Sequence, residues 1–141
     1  SALPVKLAIS GGDSYVSPDW YDIDDQVPTW NYVSVHLTGT LELRPQEELL
    51  DLLDRQSAWF EDRLLPKPPW TTAKMNPVTL QKMMRMIVPC RMRITGVDGT
   101  WKLSQNKPDA VRLAAADGVE AHGFGAGTGS LADQMRAAKG A

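Results

Sequence analysis

Two tryptophans and several short polar side chains recur close together in this sequence: Ser17, Trp20, Thr29, Trp30 and Asn31, with Lys102, Gln105 and Asn106 gathered in a second short stretch. Indole rings supply flat apolar walls, hydroxyl and amide groups supply directional hydrogen bonds, and a lysine supplies a point of positive charge. Together these are parts for holding a flat ligand with a polar edge and a negative charge. Each residue is equally explicable by packing or turn chemistry, and Asn106 before Lys107-Pro108 reads also as a cap. A nucleophilic site is excluded. Ser34 and His36 share one strand face, but two residues of extended chain separate them by about 7 Å, and no carboxylate is placed to orient the imidazole. The lone Cys90 with His36 and His122 makes no zinc set. Asp22, Asp24 and Asp25 lack the glycine and closing glutamate of a calcium loop.

The elements that must position these residues centre on the stretch Tyr15 to Leu43. Its second half alternates, with Val33, Val35, Leu37, Leu41 and Leu43 on one side and Trp30, Tyr32, Ser34, His36, Thr38 and Glu42 on the other. Period two predicts a long strand whose odd face is core. The even face, aromatic at its start and polar beyond, is expected to meet a partner subunit or a flat ligand.

Upstream, Leu3, Val5, Leu7 and Ile9 predict a half-buried strand ending at Gly11-Gly12-Asp13, and Tyr15 to Tyr21 a second one interrupted by Pro18. Downstream, Pro45 starts a helix running to about Leu65, and Pro66, Pro68 and Pro69 stop it. Asn76-Pro77 begins another helix, whose Leu80, Met83, Met84 and Ile87 read as core. Val88 to Val97 predicts a strand, and Asp98-Gly99 a two-residue hairpin returning Thr100 to Leu103. A third helix covers Asp109 to Ala121 with Gly123 as its stop. The run Gly123 to Gly129 follows a helix and so is no dinucleotide loop; it reads as a flexible linker. Ser130 then caps a short helical tail, Leu131 to Lys139.

The chain has 141 residues, 43% hydrophobic and 23% charged, which suits one compact domain with a real core. No apolar run approaches the roughly 18 residues that cross a bilayer, so no membrane partner is expected and a cytoplasmic location is the default. The net charge of −2 gives no general attraction to nucleic acid. A basic run, Arg63, Lys67, Lys74, Lys82, Arg85, Arg91 and Arg93, offers DNA a surface with no recognised motif to support it.

Three segments in order, YVSPDWY at Tyr15–Tyr21, VPTWNYVSVH at Val27–His36 and WKLSQN at Trp101–Asn106, resemble the FMN-binding negative transcriptional regulators of the PaiB type, a family related to the flavin split barrels. The resemblance runs from about Leu7 to Ala116. It departs from the family at Pro89-Cys90, usually Gly-Phe, and at Phe60-Glu61, usually His-Glu. It implies a mainly β fold with peripheral helices (α+β), an FMN-binding split β-barrel, with residues 1–122 as the barrel domain and 123–141 as a Gly-rich linker and short C-terminal helix. It further implies a homodimer with FMN at the subunit boundary, and an earlier section, before Ser1, carrying phosphate contacts. On this reading Trp20 and Trp30 wall the flavin ring. Ser17, Thr29, Asn31, Gln105 and Asn106 bond its polar edge or ribityl chain, and Lys102 meets a negative charge. Two functions follow: a transcriptional regulator, or an oxidoreductase passing electrons from a nicotinamide cofactor through FMN to a small acceptor.

Overall fold

The computed structural model describes residues 2–139. Three strands form one antiparallel sheet in the order β1 (Leu3–Val16), β2 (Thr29–Leu43), β3 (Cys90–Lys102). Four α-helices accompany them: α1 (Leu49–Glu61), α2 (Pro77–Met84), α3 (Asp109–His122) and α4 (Thr128–Ala137). The architecture is therefore mixed α and β. The chain divides into two compact units, residues 1–5 with 39–93 and residues 6–38 with 94–141, and each strand contributes a stretch to both.

In the second unit, the buried core is built from Val16, Tyr21, Leu103, Ala115, Ala116, Val119, Leu131, Ala132 and Met135. It gathers the end of β1, the turn after it, the residue that follows β3, and the facing sides of α3 and α4. The centre of β2 is less enclosed than its alternation predicts. Val33 packs against the core, but Val33, Val35 and Leu37 are only half-buried, as are Ser34 and His36 on the other face.

Several local expectations are corrected, each for a steric reason. β1 does not stop at Gly11-Gly12 but continues to Val16. A Cβ on Gly12 would lie 2.9 Å from the Gly127 carbonyl oxygen and 3.1 Å from Leu131 Cβ, so the glycine is there to admit the start of α4 against the strand. Pro18 does not interrupt a strand. It opens a 3-10 turn, Pro18–Tyr21, capped by Ser17, whose Oγ accepts from the Asp19 backbone N–H at 3.3 Å. Asp98-Gly99 makes no hairpin, and β3 passes straight through it. A two-residue hairpin of that type needs positive φ at both positions, and neither has it. Gly99 instead leaves room for the indole of Trp101, two residues on and on the same face, which a Cβ would meet at 2.3 Å.

The Gly123–Gly129 run is bonded to β1. The amides of Asp13 and Tyr15 donate to the carbonyls of Ala126 and Phe124 at 2.8 and 3.0 Å. Gly127, at φ +61°, then takes the left-handed position that precedes α4. α4 is held on α3 by buried Leu131, Ala132 and Met135 and by Arg136, which bonds Asp117 at 2.7 Å and also reaches Glu120. Those two carboxylates, Asp117 first, push the Arg136 guanidinium pKa above its ordinary value.

In the first unit, Asn76 caps α2 as expected, its Oδ1 accepting from the Val78 and Thr79 amides at 3.0 and 3.2 Å. The methionines do not fill a core: Met83 and Met86 are exposed and Met84 is half-buried. On α1, Leu49 is buried and Leu53 half-buried, whereas Phe60 is exposed, as is Leu64 in the 3-10 turn, Asp62–Leu64, that follows the helix. The inward stripe is narrower than the hydrophobic one.

Glu61 ties down the proline-rich loop after α1. Its carboxylate accepts from Lys67 Nζ and, at 2.7 Å, from the Trp70 backbone N–H. Lys67 first and the Trp70 amide second hold its pKa below the ordinary 4.5. A carboxyl lowered on folding contributes stability above its unfolded pKa and loses it as pH falls through the folded value. Trp70 amide protection is therefore expected to persist at neutral pH and to fall below pH 4.5, and in Glu61→Gln to be reduced already at neutral pH. Protection unchanged by either acid or substitution would contradict this account.

Candidate functional site

β2 begins and β3 ends side by side, because the two strands are hydrogen-bonded neighbours. This brings Thr29 and Asn31 beside Lys102 and the turn that follows it. A cavity of about 250 Å³ opens there, lined by Tyr21, Gln26, Thr29, Asn31, Lys102 and Ser104, and also by Asp25, Val27, Gln105, Asn106 and Lys107. Thr29 and Asn31 reach it together because residues two apart on a strand share a face.

Asn31 is the innermost polar group, 1% exposed. Its Nδ2 donates to Ser104 Oγ at 2.9 Å and lies 3.5 Å from Met135 Sδ. Its Oδ1 is buried with no hydrogen-bond partner, a state that costs on the order of 1–3 kcal/mol unless something satisfies it. Ser104 also shares a hydrogen bond with the Tyr21 hydroxyl at 3.1 Å. To reach both partners Ser104 adopts φ +61°, a left-handed conformation a non-glycine residue holds only at a cost.

The turn after β3 is braced by its own side chains. Gln105 Oε1 accepts from the Leu103 amide at 2.8 Å and Gln105 Nε2 donates to the Trp101 carbonyl at 2.7 Å. The Lys107 amide closes it on the Ser104 carbonyl at 3.0 Å. Gln105 therefore shapes the wall with both ends of its amide engaged, while Asn106 is exposed at the rim.

Two cations face the cavity. Lys102 Nζ donates to Thr29 Oγ1 at 2.6 Å, and Lys107 Nζ donates to Gln26 Oε1 and lies 5.3 Å from the Tyr21 ring centroid. Neither ammonium forms an ion pair among the described residues, although the Asp25 carboxylate also lines the cavity.

Of the residues singled out in the sequence, Thr29, Asn31, Lys102, Gln105 and Asn106 line this one cavity, and Ser17, Trp20 and Trp30 do not. Ser17 caps the turn at Pro18. Trp20 lies against Gly118 of α3 and meets Tyr15 edge to face. Trp30 stacks edge to face on Tyr15 and Phe124, with 43% of its surface exposed. Trp30 and Asn31 are consecutive on a strand and must point to opposite sides, so both could not have walled the same space. Tyr21, Gln26, Ser104 and Lys107 were not singled out. Ser104 lies inside the WKLSQN segment and Tyr21 inside YVSPDWY, so the motifs carried them; Gln26 and Lys107 arrive on loops and left no signal.

Donors, an unpaired acceptor, two cations and one carboxylate, Asp25, thus meet at one cavity, a set of groups suited to a polar small molecule. The family model described as "Putative FMN-binding domain" matches residues 2–96. The chain belongs to that family, whose cofactor is FMN. Thr29 and Asn31 lie within the match, and the turn carrying Lys102 to Lys107 lies just beyond it. The chain is also similar to Protease synthase and sporulation protein PAI 2 of Bacillus subtilis (strain 168), 29% identical over 103 residues, which cover 73% of this chain and 48% of that protein. It thus spans about half the length of this curated relative. The resemblance carried by the three sequence segments is correct.

Proposed function

We propose that this chain is the FMN-binding part of a PaiB-like negative transcriptional regulator, holding the cofactor at the cavity between the start of β2 and the end of β3. The observation that carries the reading is the convergence of Thr29, Asn31, Lys102, Gln105 and Asn106 on one cavity, in a chain of this family. The residues fit the cofactor. A buried unpartnered amide oxygen and two lysines that form no ion pair suit a ligand bearing hydroxyls and phosphate. Bound FMN would supply electron-transfer chemistry; the protein's own groups bind and orient it.

The proposal includes a split β-barrel over residues 1–122, with residues 123–141 as a glycine-rich connection and short helix bonded to it, and a cytoplasmic homodimer. The exposed Trp30 and Tyr32 at the start of β2 favour a covering partner copy. DNA contact gains little from the basic run. Arg63 stacks on Trp59, Lys67 pairs with Glu61, and Arg91 and Arg93 lie near Glu48 and Glu42.

Flavin fluorescence titration tests the cofactor reading. FMN is expected to be quenched on binding at least about tenfold more tightly than FAD, because the bulkier diphosphate forfeits one charge-assisted hydrogen bond. Absence of FMN binding would overturn it.

A further inference from the structure

We infer that the cavity takes the ribityl phosphate end of the cofactor and leaves the flavin ring outside, so that it is a pocket for a phosphorylated polyol. The inference rests on the FMN reading and specifies it. At about 250 Å³ the cavity is smaller than the roughly 300–1,000 Å³ pockets that enclose whole ligands of this size. It therefore encloses one end of FMN.

Its chemistry selects which end. A flavin ring calls for flat apolar walls, and Trp20 and Trp30 are engaged elsewhere, with Gly118, Tyr15 and Phe124. The lining is instead mostly hydroxyl, amide and ammonium. At the inner end, Asn31 Oδ1 lacks a donor although Asn31 is 1% exposed. A ligand hydroxyl both donates and accepts, and so satisfies that amide in either rotamer. Less enclosed than Asn31, Lys102 is exposed and Lys107 half-buried; they lean on the neutral oxygens of Thr29 and Gln26, and neither forms an ion pair with Asp25, the one carboxylate in the lining. A phosphate dianion is the group that two such ammonium ions hold best. Hydroxyls inside and phosphate outside is the order found along a polyol phosphate. A further consequence is that Lys102 and Lys107 of this chain supply contacts to the phosphate.

Calorimetric titration of the protein with FMN, riboflavin and ribitol 5-phosphate, with the Asn31 side-chain amide followed by NMR, tests the assignment. FMN is expected to bind about a hundredfold more tightly than riboflavin. Ribitol 5-phosphate should bind on its own, move the Asn31 amide signals and compete with FMN. Lys102→Gln and Lys107→Gln should each weaken FMN about ten- to a hundredfold, the loss of one charged hydrogen bond, with unchanged thermal unfolding and unchanged riboflavin affinity. Riboflavin binding as tightly as FMN, or FMN affinity unmoved by both substitutions, would overturn the pocket assignment and leave FMN binding intact. Ribitol 5-phosphate binding with the Asn31 shift, without FMN binding, would support the pocket and remove FMN as its ligand. Binding of none of the three would overturn both.

Discussion

Leu131→Ala is expected to destabilise the protein by about 2–5 kcal/mol, the range for emptying a fully buried leucine site. Leu131 is wholly buried in the core with Val16, Val119 and Met135, and the strand backbone approaches it so closely at Gly12 that a Cβ there would stand 3.1 Å from Leu131 Cβ. Little room exists for collapse into the space left behind. Urea unfolding should show a lowered midpoint with an unchanged slope. A change below about 0.5 kcal/mol, typical of surface sites, would mean that α4 is an appendage rather than part of the core.

Gly118→Ala should also destabilise, by about 1–3 kcal/mol, against the sign that helix propensity alone gives. In an exposed helix interior this change gains about 1 kcal/mol. Here the new Cβ would stand 2.5 Å from Trp20 Cγ, 2.6 Å from Cδ2 and 2.8 Å from Cβ. Those atoms are the base of a rigid indole, on a turn fixed by Pro18 and the Ser17 cap. The side chain and its turn must move together. Thermal unfolding compared with wild type decides the sign, and a stabilised variant would show that α3 and the Pro18 turn are not packed as described.

Alternation, caps and local motifs made much of the fold legible. The Asn76 cap, the start of α3 after Pro108 and the long central strand all depend on neighbouring residues. The misread segments depend on distant ones. Gly11 and Gly12 look like a breaker until Val33 of β2 is placed against the first and the start of α4 against the second, and Asp98-Gly99 looks like a hairpin until the Trp101 ring is laid across it. The proline at position 18 can break a strand or start a turn; Ser17 before it, able to cap, favoured the turn.

The site divides in the same way. Thr29, Asn31 and Lys102 were recoverable because paired strand ends bring polar residues together. Trp20 and Trp30 lie outside this cavity, and period two already sets Trp30 opposite Asn31. Lys107 could not have been found, since its role depends on the left-handed Ser104 that bends the chain back toward Tyr21.

Diffraction from crystals grown with FMN tests the central claim most directly. The account predicts the phosphate within hydrogen-bonding distance of Lys102 or Lys107 and a ribityl hydroxyl on Asn31, at the cavity between β2 and β3. FMN bound instead against Trp30 and Phe124, with the cavity holding only water, would contradict it.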